Sequence, residues 1–345
     1  MLRRVIGFSF FSMCLAAITV PVHAADVGGY KIVNRWKVGG EGGWDDLTVD
    51  AGAHRLYFGR GNRMQALDLE TGKIAGEVLD TPGIHCVAFA PELGRGFTSN
   101  GRDSSVTIFD LKSLKTITRV RIDAQNPDAI IYEPSSKRIF TFNGRSRNAT
   151  AIDAASGAVV GNLALDGRPE FAVVDDDGNV FVNLEDSSAV VRFDAKSLAI
   201  KGRWSLAPGD GPSGLAIDAA HHRLFAVCSN QKLIVLDYAS GRVVADVAIG
   251  KGVDADAFDP KTGLVFSSNG EGTVTVIHED SADKFTVVET VPTQRGARTM
   301  ALDPKTHHIY LAAAEYGEAP AATAEHPHPR APMLPDSFVI LELAR

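Results

Sequence analysis

The sequence is poor in the residues on which several classes of protein depend. Only 3 of its 345 residues are cysteine, and none of them forms a C-x-x-C or C-x-x-C-H motif. Thioredoxin-like exchange and covalent c-type haem are therefore excluded. Basic residues are in deficit, with 35 Lys and Arg against 42 Asp and Glu for a net charge of −7. Binding to phosphate backbones or to an anionic membrane surface needs clustered cations, so nucleic acid is a poor candidate partner. G-x-S-x-G, H-E-x-x-H and the P-loop are all missing, which removes the nucleophile-elbow hydrolases, the zincins and the P-loop NTPases. The longest largely apolar run, residues 5–20, is short of the roughly 20 residues that span a bilayer.

That run has the order of a secretory signal: Arg3 and Arg4 first, then the apolar stretch, then Pro21-Val22-His23-Ala24 before Ala25. Residues 1–24 are expected to be removed and the mature chain, 25–345, to be periplasmic or secreted without a transmembrane segment. Cleavage takes away two Arg and no acid, which moves the net charge from −7 to −9. Of the cysteines only Cys86 and Cys228 remain. They are 142 residues apart in different repeats, and are read as two buried free thiols although the compartment permits a disulfide.

What the sequence has in abundance is internal repetition. The segments at 47–58, 87–98, 130–141, 172–182, 215–226, 256–267 and 300–311 share one template, an apolar run, a polar turn and a second run ending on an aromatic. The residues closing the first runs are Asp50, Ala90, Glu133, Asp175, Asp218, Asp259 and Asp303, spaced by 40 to 44. A third run ending in Asp, a Ser-Gly or Thr-Gly turn and a fourth run complete each copy. Four short β-branched runs per copy read as a four-stranded antiparallel sheet. Seven copies make an all-β, seven-bladed β-propeller. The last copy stops after its third run, 337–345, while one unpaired run, 30–38, precedes the first copy. An open ring would leave unpaired edges, so the N-terminal run is expected to close blade seven.

Second runs ending FTSN (97–100), FTFN (140–143), FSSN (266–269) and FVN (181–183), with the D-P-K-T turns at 259–262 and 303–306, resemble the exported YVTN-repeat β-propeller proteins. The resemblance covers residues 30–345 and implies the fold more than an activity. Blades one, five and seven depart from it, with Arg60, Cys228 and Ala313 in place of the Asn.

Aligning the copies exposes one polar column. Five residues before each anchor stand Asp45, His85, Asp128, Glu170, Ser213, Asp254 and Arg298, although apolar strand follows. These are the starts of the innermost strands and should ring the mouth of the central channel, with Asp46 and Asp256 close by. Polar strand starts that simply meet solvent are the bland reading. Against it, converging acids raise one another's pKa unless a cation intervenes. Asp45, Asp128, Glu170 and Asp254 suit calcium or magnesium, and His85 extends the set to manganese or zinc. Lactone-hydrolysing propellers hold a metal at this place. Trp44, after Gly39, Gly40, Gly42 and Gly43, offers a stacking wall or a core contact.

The stretch 314–336, between strands two and three of blade seven, is rich in Pro and Ala and places His326 and His328 on the mouth side as a lid or as a plain loop. The D-D-D-G at 175–178 lacks the other ligands of a calcium loop and reads as a hairpin turn. His221-His222 and His307-His308 fall in equivalent turns on the opposite face and read as solvated. Two functions follow. The first is an exported propeller that binds a small polar molecule, an envelope component or a protein partner at the mouth through Trp44 and the seven-residue column. The second is a metal-dependent hydrolase or lactonase whose ring carboxylates hold the cation and whose Arg298 stabilises an oxyanion.

Overall fold

A computed structural model describes residues 29–321, 323 and 331–345. The expected leader, residues 1–24, and His326 and His328 lie outside them. The described strands form seven four-stranded antiparallel sheets. The innermost strands are Leu47–Asp50, Ile84–Ala90, Pro127–Glu133, Pro169–Val174, Pro212–Asp218, Val253–Asp259 and Met300–Leu302, and neighbouring inner strands pack against one another around the axis. The seventh sheet runs in the order Lys31–Lys37, Val339–Ala344, Ile309–Ala313, Met300–Leu302, so the N-terminal strand does close the ring. Trp36 lies opposite Ile340 in that pairing, and its ring stacks on Tyr310.

The core lies between blades. Every second strand sends aromatic side chains into it, among them Phe58, Phe97, Phe140, Phe181, Phe225, Phe266 and Tyr310, none more than 2% exposed. Burying each such ring contributes roughly 1.5–3 kcal/mol, and the spacing of about 42 residues repeats that contribution around the circle. The outer strands, such as Val159–Ala164, alternate between exposed and half-buried positions, as sheet edges facing water do.

The acids that mark the repeat are turn caps. Asp50 Oδ1 accepts the amides of Gly52 and Ala53, and Glu133 accepts those of Ser135 and Ser136. At the ends of the third strands, Asp68, Asp110 and Asp153 accept hydroxyl bonds from Thr71, Ser113 and Ser156, which hold their carboxyls below the usual range. The 175–178 stretch is such a turn, with Asp175 accepting from Asp177 and Asn179. The paired histidines on this face are more tied down than a solvated reading allows. His307 Nδ1 meets Asp259 at 2.7 Å and His308 Nδ1 meets Glu342 at 2.6 Å. The His307 imidazole reaches back to the end of the inner strand of blade six, and that of His308 reaches the third strand of its own blade.

Two of the departures from the Asn-ended strands have clear structural uses. Arg60 is fully buried, donates from Nη2 to the carbonyls of Gly39 and Gly40 at 2.9 and 2.8 Å, and lies over the Phe338 ring at 3.9 Å. It thereby fastens the segment between the closing strand and blade one. Cys228, like Cys86, is a buried free thiol. Among the described residues no helix is long and apolar enough to cross a membrane.

Candidate site at the channel mouth

The polar column is carried to the axis by a recurring irregularity. In blades two to six the register between strands one and two slips near the start of strand one: Ile84/Val87, Pro127/Ile130, Pro169/Ala172, Pro212/Leu215 and Val253/Asp256. A bulge there re-aims the second residue of the strand, which is His85, Asp128, Glu170, Ser213 or Asp254. In blades one and seven, Asp45 and Arg298 stand just before the strand and reach the same place.

Blades two, four, five and six also hold the next blade's ring residue by its backbone. The Ser99 hydroxyl donates to the carbonyl of Asp128, Ser268 to that of Arg298, and Asn183 Nδ2 to that of Ser213 at 3.0 Å. Ser213 Oγ continues the relay to the Asp254 carbonyl at 2.9 Å. The Asn of the FTSN-type strands points elsewhere: Asn100, Asn143 and Asn269 bond hydroxyl or amide groups of strand three in their own blade. Gly214 is required where two inner strands touch, because a Cβ there would lie 2.6 Å from Asp256 Oδ1 and 2.8 Å from the Asp256 amide.

Asp45, Asp46, Asp128, Glu170, Ser213, Asp254 and Arg298 line one cavity of about 280 Å³, joined by Arg168 and Glu185. His85 closes its side: Nδ1 lies 2.5 Å from Asp45 Oδ2 and 3.2 Å from Asp128 Oδ1. Arg168 bonds Glu170 at 3.0 Å and Glu185 at 2.8 Å, while Arg298 Nε lies 3.6 Å from Asp254. A wider vestibule of about 770 Å³ opens above, lined by Trp44, Asp45, His85, Arg102, Asn126, Arg145 and Arg298. Trp44 is half-buried there, its Nε1 donating to Thr299 and its ring tilted on Phe338 at 4.8 Å, so one face packs and another lines the vestibule. Tyr316 and Met333, from the base of the blade-seven insertion, flank Trp44 and Arg298 in an adjoining pocket. No described insertion residue lines the acidic cavity.

Burial is the largest influence on the cavity's acids. It pushes Asp46 up to about 8, helped by the charges of Asp45 and Asp254, and Asp254 up to about 6 against the pull of Arg298. Asp128 and Glu170 are pushed up for the same reason, Glu170 also by the charge of Asp128. Burial disfavours a charged His85 ring, but the Asp45 hydrogen bond and the Asp128, Asp45 and Glu170 charges outweigh it and hold the ring above its usual range. Asp256 lies against Gly214, both of its carboxylate oxygens are buried without a hydrogen-bond donor, and burial pushes its carboxyl well above the usual range.

The cavity is thus an acidic well with too few internal cations, below a rim where Arg102 and Arg145 have no carboxylate partner among the described residues. Asp45, His85 and Asp128 also bring ligand atoms within 4.8 Å of one another. Arg168, Glu185 and the rim arginines were not singled out as mouth residues by the repeat alignment. They lie in loops outside the aligned column, and only the closing of the ring brings them in.

Comparison with known proteins fixes the family and leaves the ligand open. No curated protein matches the chain. Similar solved structures include hydrazine synthase of Kuenenia stuttgartiensis, with a TM-score of 0.69 and 16% identity over 78% of this chain and 92% of that one. Another is a chain of the mitotic checkpoint complex, with a TM-score of 0.74 and 12% identity over 99% of both chains. At such identities these show the fold alone. The family model described as outer membrane protein assembly factor BamB matches residues 102–316, from blade two into the blade-seven insertion. On that match over more than half its length, the chain belongs to the BamB family of β-propellers.

Proposed function

We propose that this is an exported binding propeller whose channel mouth takes a small polar ligand carrying a cationic group, seated in the acidic well, and an anionic group held by the arginine rim. One observation carries this reading: Asp46, Asp128, Glu170 and Asp254 are all raised by burial in one 280 Å³ cavity that also holds Asp45. A cation entering the well relieves the desolvated acids, and Arg102, Arg145 and Arg298 stand one layer above to receive a carboxylate or phosphate. A free amino acid, a short peptide, or the amino terminus of an envelope protein has this chemistry. The family description, an outer membrane protein assembly factor, and the leader-like residues 1–24 support export and an envelope partner. The FTSN-type strands support kinship with the YVTN-repeat propellers.

Binding is favoured over catalysis because the nucleophile types that line the cavity are poorly placed to react: burial pushes the Cys86 thiol up, away from the thiolate. Ser213 Oγ is committed to Asp254, and His85 Nδ1 to Asp45 and Asp128. The second reading rests on the three converging donors Asp45, His85 and Asp128. They would hold a divalent cation of the calcium, magnesium, manganese or zinc type, which would supply Lewis acidity to a hydrolase or lactonase. Arg298 would then face developing negative charge. Elemental analysis of the purified mature chain separates the two. The binding reading expects no stoichiometric metal at the mouth and a thermal shift with dipeptides. A metal retained by the wild type and lost in Asp128→Asn would favour the hydrolase.

A further inference from the structure

We propose that Asp218, His221 and Glu279 form a second divalent-cation site, of the zinc class, on the face opposite the acidic mouth, where it clamps blade five to blade six. Asp218 ends the inner strand of blade five, His221 sits in the turn that follows, and Glu279 comes from the third strand of blade six, Thr273–Ser281. Asp218 Oδ2 lies 2.5 Å and Glu279 Oε1 3.3 Å from His221 Nδ1, and the three donor atoms fall within 4.8 Å of one another.

Glu279 sets this cluster apart from an ordinary surface ion pair. Its side chain is only 4% exposed, yet among the described residues no donor hydrogen-bonds its Oε1. The adjacent guanidinium does not meet that need. Arg223 is engaged with the Ala282 carbonyl at 2.6 Å, the His221 carbonyl at 2.8 Å and Asp283 at 2.9 Å. Asp218 spends its Oδ1 on the Ala220 amide, which leaves Oδ2 pointing at the cluster. Leaving a buried carboxylate oxygen unpaired is costly, and a cation between Oδ2, Oε1 and Nδ1 removes that cost.

The donor set selects the ion. One imidazole nitrogen with two carboxylate oxygens suits zinc or manganese better than calcium, which takes six to eight oxygens. The half-exposed His221 edge leaves a path for the ion and room for water as a fourth ligand. The equivalent turn histidines His307 and His308 each meet a single carboxylate, so three donors are not a by-product of the repeat. Their source is the hairpin of blade six, whose strands Thr273–Ser281 and Lys284–Pro292 run nine residues each and reach across to the blade-five turn.

The test is a zinc titration of the full mature chain, followed by unfolding temperature and by bound zinc after buffer exchange. Four proteins are compared: wild type, Glu279→Gln, His221→Ala and the mouth variant Asp128→Asn. Zinc is expected to raise the unfolding temperature of the wild type and of Asp128→Asn alike. In Glu279→Gln and His221→Ala the affinity should fall by more than about a hundredfold, beyond what disturbing an outer-shell partner alone typically costs. Both substitutions are mild for folding, one nearly isosteric and one at an exposed ring. Zinc stabilisation that survives both, that disappears only in Asp128→Asn, or that is missing from the wild type would overturn the proposal.

Discussion

Single side chains at the mouth are held in states that solvent would not give them, and Asp254 shows the consequence most simply. An ordinary carboxyl loses its proton near pH 4, whereas burial holds Asp254 to about 6. Between those values the unfolded chain binds fewer protons than the folded one, so stability falls as pH rises through this window and stays low above it. The difference of about two units corresponds to on the order of 2–3 kcal/mol. Asp254→Asn is therefore expected to melt above the wild type at pH 8 and level with it at pH 4 in differential scanning calorimetry. A gap that does not change with pH would contradict the assignment. Gly214→Ala drives a Cβ into the Asp256 backbone and should cost roughly 1–3 kcal/mol of stability, read from a urea midpoint. Cys86 and Cys228 are buried, with both thiols pushed up by burial. A thiol reagent should label neither in the native chain and both after unfolding.

At the scale of strands and turns, most of the architecture could be read from the chain, because a propeller repeats its hydrophobic pattern seven times. The aromatic at each second strand and, in six of the seven blades, the acid before the first turn recur with the blade, and the structure assigns them to the inter-blade core and to turn caps. The closing strand was legible from a missing partner: one run too many at the start and one too few at the end. Removing residues 25–38 takes away the outermost strand of blade seven together with the Trp36–Tyr310 stack. Circular dichroism melting should show a marked drop in unfolding temperature, and an unchanged curve would contradict closure.

The bulges at the start of the inner strands could not be read. Residues 84–90 and 127–133 look like regular alternation, yet the register slip is what turns His85 and Asp128 into the channel. The serine before the motif Asn was equally opaque. Ser99 and Ser268 act on the blade after their own, through backbone carbonyls that have no sequence signature. His221, His307 and His308 belong to the same class, since each has a partner from another strand of its own blade or from a neighbouring blade.

For the whole molecule, a net charge of −7 describes an average, and the fold decides where it matters. Much of the acid is spent on turn caps around the opposite face. The remainder is gathered at one opening, where Asp45, Asp46, Asp128, Glu170 and Asp254 share a cavity under an arginine rim. A ring scaffold held between blades by buried aromatics keeps those acids together despite their repulsion. Cation uptake there must displace protons, so affinity should rise as pH increases through 6 to 8. The direct measurement is a calorimetric titration of the chain at pH 8 with lysine-bearing and plain dipeptides, and with calcium, set beside Asp128→Asn and Glu170→Gln. The wild type is expected to bind at least one amine-bearing or metal probe saturably, with affinity at least about tenfold weaker in both variants and in the wild type at pH 5. Wild-type binding that the variants retain in full, or no binding of any probe, would contradict a cation-accepting mouth.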